Sequence, residues 1–298
     1  MAGGGHAGSG LGTAMTWLWV ILGLAVVVLA VLAYWQLIIA EGAYLGAGVV
    51  AWTYDLVASR YDAIKRFEPQ YESWFVGAPL LEALAGVERP QVLDVATGTG
   101  RLPLALLRER FRGQIVGLDL SRGMLRQARR KLWPHGDQVI LLWQDASHLP
   151  FDDGAFDAVT CMESLEFMPR PVGVLSEMVR VLAPGGVLLL TNRVGREARL
   201  LPGRAISQPV FEQVLAGQGL TAIEVRRWQT NYDLALARKP GPPVSRVDGE
   251  RDLVALVRCP GCGGPLLREG RGLSCPSCSR IYPIREGVVS LAEQGQPR

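Results

Sequence analysis

Val92-Leu93-Asp94-Val95-Ala96-Thr97-Gly98-Thr99-Gly100 is an aliphatic run ending in a turn with two glycines, and a helical pattern from Arg101 to Arg110 follows it directly. Strand, glycine turn and helix in that order predict the opening unit of a doubly wound α/β domain, whose ligands sit outside the carboxyl ends of the strands. Gly98 and Gly100 lack a Cβ, so the backbone there can take unusual φ/ψ values and approach a ligand closely. A dinucleotide fingerprint would need a third glycine where Pro103 stands, and no P-loop Gly-Lys-Ser/Thr follows. Acidic residues recur instead at the ends of the next strands. A predicted strand over 114–118 leads to Asp119, about 20–25 residues beyond the turn, where an acid accepts hydrogen bonds from ribose hydroxyls. A predicted strand over 139–143 leads to Asp145-Ala146, in place for an acceptor to an adenine amino group.

DVATGTG (94–100), GLDLSRGML (117–125), QDASHLPFDDGAFDAV (144–159) and RVLAPGGVLLL (180–190) occur in that order. Together they resemble the successive motifs of class I S-adenosylmethionine-dependent methyltransferases, nearest to the methyltransferase type 11 and ubiquinone/menaquinone C-methyltransferase families. The likeness covers roughly 54–239. It implies an α/β, seven-stranded Rossmann-like sheet, with strands at 92–96, 115–120, 139–143, 155–162 and 187–191 and a terminal hairpin from 221–228 and 232–237. Helices are expected over 101–110, 122–132, 172–182 and 209–217, with Ser121 as the N-cap of the second. Ala183-Pro184-Gly185-Gly186 reads as a turn ending the third.

The same resemblance assigns cofactor contacts. Ala96, Thr97, Gly98 and Gly100 would pass beside the methionine part, and Asp94 would orient that turn or meet the amino group. Asp119 would hold the ribose, Met124 would cover the adenine with Asp145 and Ala146 at its edge, and Leu120 is counted among the cofactor contacts. Ala96 stands where a first glycine often appears. Many relatives carry Glu-His where this chain has Glu166-Phe167, so no general base is inherited from that motif. Strand four is followed by no Asn/Asp-Pro-Pro-aromatic signature, which argues against methylation of an amino nitrogen on DNA. His6, His135 and His148 read as solvated, Cys161 as a small buried hydrophobe, and no catalytic residue is named. Tyr54-Asp55 and Tyr61-Asp62 resemble the Tyr-Asp pairs that precede the core in these enzymes, on a helical segment covering the cofactor.

The chain has 298 residues and a net charge of +3, so charge neither requires nor excludes a nucleic-acid partner. A mean hydropathy of +0.18 is high for an enzyme, and the excess sits at the start. No charged side chain occurs from Leu11 to Ala40, more than the roughly 20 residues that cross a bilayer. Trp17 and Trp19 near one end and Tyr34 and Trp35 near the other are separated by roughly 25 Å of helix, the spacing of aromatic belts. A signal peptide would have a basic start and a shorter apolar region. Arg60, Lys65 and Arg66 follow the span and no Lys or Arg precedes it, which predicts a single-pass protein with its bulk facing the cytoplasm. The segment 42–52 is apolar but too short to cross again; it reads as an interfacial helix or a continuation of the first.

Beyond a Pro/Gly-rich stretch, Cys259-Pro260-Gly261-Cys262 and Cys275-Pro276-Ser277-Cys278 form two C-x-x-C knuckles, the pattern of a tetrahedral four-cysteine structural zinc site. LVRCPGCGGPL through SCPSCSRIYPIREGVVSL resembles the small zinc-ribbon proteins that activate tRNA and protein methyltransferases. The predicted organisation is a flexible tail (1–13), a transmembrane helix (14–40), interfacial and lid helices (41–90), the methyltransferase core (91–239), a linker (240–251), the ribbon (252–292) and a tail (293–298). The leading expectation is a membrane-anchored methyltransferase using S-adenosylmethionine on a lipid-soluble or small acceptor such as a quinone precursor, isoprenoid or lipid. An RNA or protein methyltransferase reading substrate through the ribbon, and a non-catalytic cofactor-binding assembly protein, are the alternatives. Against the former, the ribbon shows no basic stripe or interleaved aromatics.

Overall fold

The structure is a computed structural model and describes residues 9–243 and 253–292. Residues 1–8 of the expected tail (1–13), residues 244–251 of the expected linker (240–251), residue 252 at the start of the ribbon and the tail at 293–298 lie outside the described residues. Ahead of the sheet come α1 (Ser9–Tyr34), which runs on into a π-helical turn at Trp35–Ile39, α2 (Ala47–Val57), α3 (Tyr61–Lys65), α4 (Pro69–Glu72) and α5 (Ala78–Ala83). The core then alternates β1 (Gln91–Val95), α6 (Arg101–Arg108), β2 (Gln114–Asp119), α7 (Arg122–Leu132), β3 (Val139–Trp143) and β4 (Phe156–Cys161). It continues with α8 (Pro171–Val181), β5 (Leu182–Arg193), α9 (Gly195–Ala198), α10 (Gln208–Gly217), β6 (Thr221–Gln229) and β7 (Tyr232–Arg238). The ribbon contributes β8 (Leu267–Glu269), β9 (Gly272–Ser274), β10 (Ile281–Arg285) and β11 (Val288–Ser290).

The strand order is β6-β7-β5-β4-β1-β2-β3-β11-β10-β9-β8, so the sheet has eleven strands rather than the expected seven. Strands β1 to β5 pair in parallel, and every residue of β1 is buried, as a strand covered on both faces must be. β7 runs antiparallel between β5 and β6. The extra four strands are the ribbon. β11 lies parallel to β3, with Val288 opposite Leu141, Val289 opposite Leu142 and Ser290 opposite Trp143. The unpaired edge of a parallel sheet exposes a row of N–H and C=O groups beside apolar side chains, and here the end of the ribbon satisfies it.

A second departure lies at Pro184-Gly185-Gly186, expected as a turn but contained within the twelve-residue β5. Gly185 N–H donates to Lys239 O (2.9 Å) and Lys239 N–H to Gly186 O (3.0 Å), so the end of β7 pairs with the segment and holds it extended. The pairing of β4 with β5 shifts register at this place, between Phe156 and Ala158.

Ribbon and core share one apolar interior. Val257, Leu266, Leu273, Tyr282, Val289 and Leu291 pack in the same buried cluster as Leu142, Leu149, Phe151 and Phe156. Arg258 N–H donates to Pro150 O (2.7 Å), and its guanidinium meets both carboxylate oxygens of Asp152 at 2.9 and 2.5 Å. Gly287 passes so close to α7 that a Cβ would fall 2.2 Å from Arg129 Nε. Loss of the ribbon's integrity therefore uncovers β3 and opens the core. Chelation of its metal, or Cys262→Ser, is expected to lower the Tm of the whole catalytic domain by about 10 °C, equivalent to roughly 3 kcal/mol for a domain of this size. Calorimetry should show one cooperative transition moving; a separate low-temperature ribbon transition, with the core unmoved, would refute the shared interior.

Candidate functional site

The turn after β1 is built on left-handed backbone. Ala96 and Gly98 both have φ of 55° and Gly100 has φ of 82°. For Ala96 that conformation costs roughly 1–2 kcal/mol, which explains why glycine suits this position. Thr97 N–H donates to Leu118 O on β2 (2.9 Å), and Gly98 N–H to Asp119 Oδ2 (2.8 Å). The other oxygen of Asp119 takes Ser121 N–H at 2.8 Å. Burial pushes the Asp119 carboxyl up to about 6, against the pull of these backbone bonds. Asp94 lies beneath the turn, 2 % exposed, with Thr160 Oγ1 donating to it at 2.7 Å. Burial raises its carboxyl to about 6 as well, opposed by its hydrogen bonds.

A pocket of ≈ 810 Å³, part of it open to solvent, begins at this turn. It brings together Ala96, Gly98, Asp119, Leu120, Met124, Asp145 and Ala146. Asp94 and Thr97 line an adjoining recess that shares Ala96, Gly98 and Glu163 with it. Gly100 lines neither; it faces α7, where a Cβ would come within 2.9 Å of Leu132. Two observations test the fit of an adenosyl cofactor. A Cβ placed on Gly98 would meet nothing within 4 Å, so the turn looks onto open space. Gln144, which lines the pocket, has its Oε1 buried without a hydrogen-bond partner, an acceptor that a bound polar group would satisfy. The residues present fit the group.

The roof is the segment after α1. Ala47, Val50, Ala51 and Tyr54 on α2 and Tyr61 on α3 line the pocket. The two Tyr-Asp pairs divide the work: tyrosines face the pocket and aspartates clamp the roof down. Asp55 Oδ1 accepts Gly123 N–H (2.7 Å) and Ser121 Oγ–H (2.5 Å) at the start of α7. Asp62 accepts Thr99 Oγ–H from the glycine turn (2.6 Å) and pairs with Lys131. Gly123 permits this approach, since a Cβ there would meet Asp55 Oδ1 at 2.9 Å and Ala58 Cβ at 3.0 Å.

Polar groups that the motifs did not reveal collect under the roof. Arg101 grips Glu72 with two bonds (2.6 and 2.7 Å) and Glu163 with a third (2.7 Å), and Lys65 Nζ lies 3.5 Å from Glu163. Glu163 lines the pocket. Tyr54 donates its hydroxyl to Glu41, whose carboxyl burial pushes upward. Glu41 belongs to the turn between α1 and α2, so only the folded roof carries it to the site. Glu166, from the segment where many relatives have Glu-His, is buried and accepts the Tyr232 hydroxyl (2.5 Å), whereas Phe167 lines the pocket. His148 is a surface residue 3.5 Å from Glu177, His135 is half-buried beyond α7, and His6 lies outside the described residues. Burial drives the Cys161 thiol up to about 12, far from a thiolate.

The four ribbon cysteines converge. Their Sγ atoms all lie within 4.8 Å of one another, with Cys259 and Cys278 at 3.6 Å and Cys262 and Cys275 at 3.4 Å. Four thiolates at the usual zinc distance stand about 3.8 Å apart, so the set fits a closed tetrahedral ion. Each knuckle turns on backbone bonds, Gly263 N–H to Cys259 O and Ser279 N–H to Cys275 O, both 2.8 Å. Tyr282 sets its hydroxyl 3.0 Å from Cys259 Sγ, an outer partner for a metal-bound thiolate.

Comparison with known proteins agrees with this geometry. Residues 93–190 match the methyltransferase domain family and residues 250–287 the Trm112p-like protein family. A demethylmenaquinone methyltransferase of Thermus thermophilus is 48% identical over 101 residues, 34% of this chain and 46% of that protein. A ubiquinone/menaquinone biosynthesis C-methyltransferase of Syntrophotalea carbinolica is 36% identical over 165 residues, 54% of this chain and 69% of that protein. The chain spans about half the length of the first such relatives, 46%, 53% and 57%. Among solved structures, the [4+2]-cyclase SpnF superposes with a TM-score of 0.56 at 22% identity, covering 65% of this chain and 96% of that one, a likeness of fold alone. On its motifs, its pocket and these relatives, the chain belongs to the ubiquinone/menaquinone C-methyltransferase family of class I S-adenosylmethionine-dependent methyltransferases, with a Trm112p-like four-cysteine ribbon joined to its catalytic sheet.

Proposed function

We propose that this protein is a membrane-anchored methyltransferase that methylates a lipid-soluble, quinol-like acceptor at carbon. The observation that carries the reading is the pocket itself. It opens from the cofactor turn into a chamber walled by Val50, Ala51, Phe167, Met168, Pro169 and Val174, and it is roofed by the helix that follows the apolar α1. One helix among the described residues, Ala14–Ile39, is long and apolar enough to cross a membrane, with a hydropathy of 2.6 and none of its most apolar window buried. The names of the relatives support a quinone-type acceptor. The ribbon's coupling to β3 gives it a structural task, so an RNA or protein substrate is not needed to account for it.

S-adenosylmethionine, when bound, supplies an activated methyl group, and the protein's task is mainly alignment. In this reading Asp119 would hold the ribose hydroxyls, Leu120 and Met124 would take the adenine, and Asp145 and Ala146 would lie at its edge. The turn from Ala96 to Gly98, with Asp94 and Thr97, would hold the methionine part; Gly100 shapes the turn from behind. A phenolic acceptor attacks through carbon more readily once its hydroxyl proton begins to leave. Glu163 is committed to Arg101 and Lys65. Glu41, raised by burial and reached through the Tyr54 hydroxyl, is the better proton acceptor.

Cofactor binding carries a pH signature. Asp119 must be ionised to accept two ribose hydroxyls, and its carboxyl is pushed up to about 6 by burial. S-adenosylhomocysteine affinity is therefore expected to be constant above pH 7 and to fall about tenfold per unit below pH 6. Asp119→Ala should weaken binding at least about tenfold with zinc content unchanged; calorimetry showing undiminished affinity would remove the ribose assignment. The acceptor is tested with the full chain in its native membranes and methyl-labelled S-adenosylmethionine. Label should enter the organic-soluble quinol fraction and vanish with Asp119→Ala; label in RNA or protein would overturn the acceptor assignment.

A further inference from the structure

The helix that roofs the pocket is apolar on both faces. Its inner face, Ala47, Val50, Ala51 and Tyr54, lines the pocket. Its outer face carries Gly48, Trp52 and Leu56 at helical spacing, with Trp52 55% and Leu56 64% exposed. The helix holds one charged residue, Asp55, and that carboxylate is spent on Ser121 and Gly123 of α7. A helix apolar all round is ordinarily covered on every side. Nothing in the described fold covers the outer face of this one.

The neighbouring elements point to what does. The end of the span is bolted to the catalytic domain rather than tethered to it. Trp35 Nε1 donates to Leu200 O (2.9 Å), Tyr44 Oη to Pro202 O (2.8 Å), and Arg204 Nη2 to Ala43 O (2.8 Å). The Trp35 and Tyr44 rings stack at 5.1 Å, with the Arg204 guanidinium 5.3 Å from the Tyr44 ring. Ala40 and Ala43 are buried in this joint. The joint also presents lipophilic side chains outward: Ile38 at 61% exposure, Leu45 at 56% and Leu200 at 43%. Arg60 stands exposed just past α2, a cation suited to anionic headgroups.

We infer that the outer face of α2, together with Leu45 and Leu200, is a lipid-docking surface that lies in the headgroup–acyl boundary of the same bilayer that α1 crosses. This rests on the membrane-anchored reading above. A span joined to the domain by these contacts fixes which side of that domain meets the membrane, and the exposed apolar side chains beside the joint mark that side. The roof is then a partition one helix thick. Lipid touches its outer face, the acceptor chamber its inner face, and an acceptor dissolved in the bilayer reaches the chamber beside α2 without crossing water.

The test uses the full zinc-loaded chain in phospholipid nanodiscs, with an environment-sensitive fluorophore on Leu45→Cys or Leu56→Cys and lipids brominated near the headgroup. The unsubstituted chain is the labelling control, because Cys161 is buried and the other four cysteines hold the metal. Quenching of more than about twofold is expected at both positions, and none at Trp133→Cys, beyond the far end of α7. Equal quenching at all three, or none at Leu45 and Leu56, overturns the inference. A second arm compares Trp52→Glu/Leu56→Glu with the parent protein on two quinols, one with a long isoprenoid tail held in the bilayer and one short and water-soluble. Turnover of the long-tailed acceptor should drop about tenfold or more while that of the short one stays unchanged; parallel loss on both would place these residues in folding rather than docking. A parent protein that methylates neither quinol would refute the acceptor assignment, and the quenching pattern would still decide the surface.

Discussion

One carboxylate ties the catalytic side of this protein together. Asp119 takes Gly98 N–H on one oxygen and Ser121 N–H on the other, so the turns after β1 and β2 form a single frame. Ser121 in turn caps α7 through Met124 N–H (3.1 Å) and donates its hydroxyl to Asp55. The line from glycine turn to acid to cap to roof is therefore a chain of hydrogen bonds, each group half of two contacts. Loosening Asp119 would disturb the floor of the pocket and the anchoring of its roof together. The geometry also sets a chemical balance. The same burial that makes the turn rigid raises the acid's affinity for its proton, so rigidity is held at the expense of charge.

The sheet shows a second economy. A doubly wound core has two vulnerable edges, and this chain closes them by different means. The antiparallel β6–β7 hairpin closes one side. At the other, the metal-stapled ribbon adds a parallel strand against β3, a pairing that ordinarily needs a long crossover. The cysteine knuckles stabilise a module too small to hold a core alone, and that module stabilises a sheet whose edge would otherwise invite aggregation.

Much of this was legible in the sequence, and the reasons for the gaps are physical. Local chemistry decided the glycine turn, the acids at strand ends, the Ser121 cap and the cysteine knuckles, because each is a short-range demand on a few adjacent residues. The eleven-strand sheet was not visible, since nothing in Val288-Val289-Ser290 states that its partner is Leu141-Leu142-Trp143. Pro184-Gly185-Gly186 read as a turn by composition, and pairing with Lys239 overrode it. Gly100 was expected to approach the ligand, but its left-handed backbone serves packing on Leu132 instead. Glu41 carries no motif. Its place beside Tyr54 arises from the reversal of the chain at a left-handed residue (φ 49°) after α1, a tertiary event.

The lateral pairing of β11 with β3 has a consequence for how the molecule is made. Some 140 residues separate the two strands in the chain, and the ribbon leaves the ribosome after the whole catalytic core. Until it emerges, β3 is an open apolar edge, with the rest of the core already made. The nascent core must therefore wait, incomplete, for the last strand of its own sheet. Metal supply enters at the same late moment. Short of zinc, the chain would be left with this edge unfinished, so the ion bears on the fold as a whole rather than on one small site.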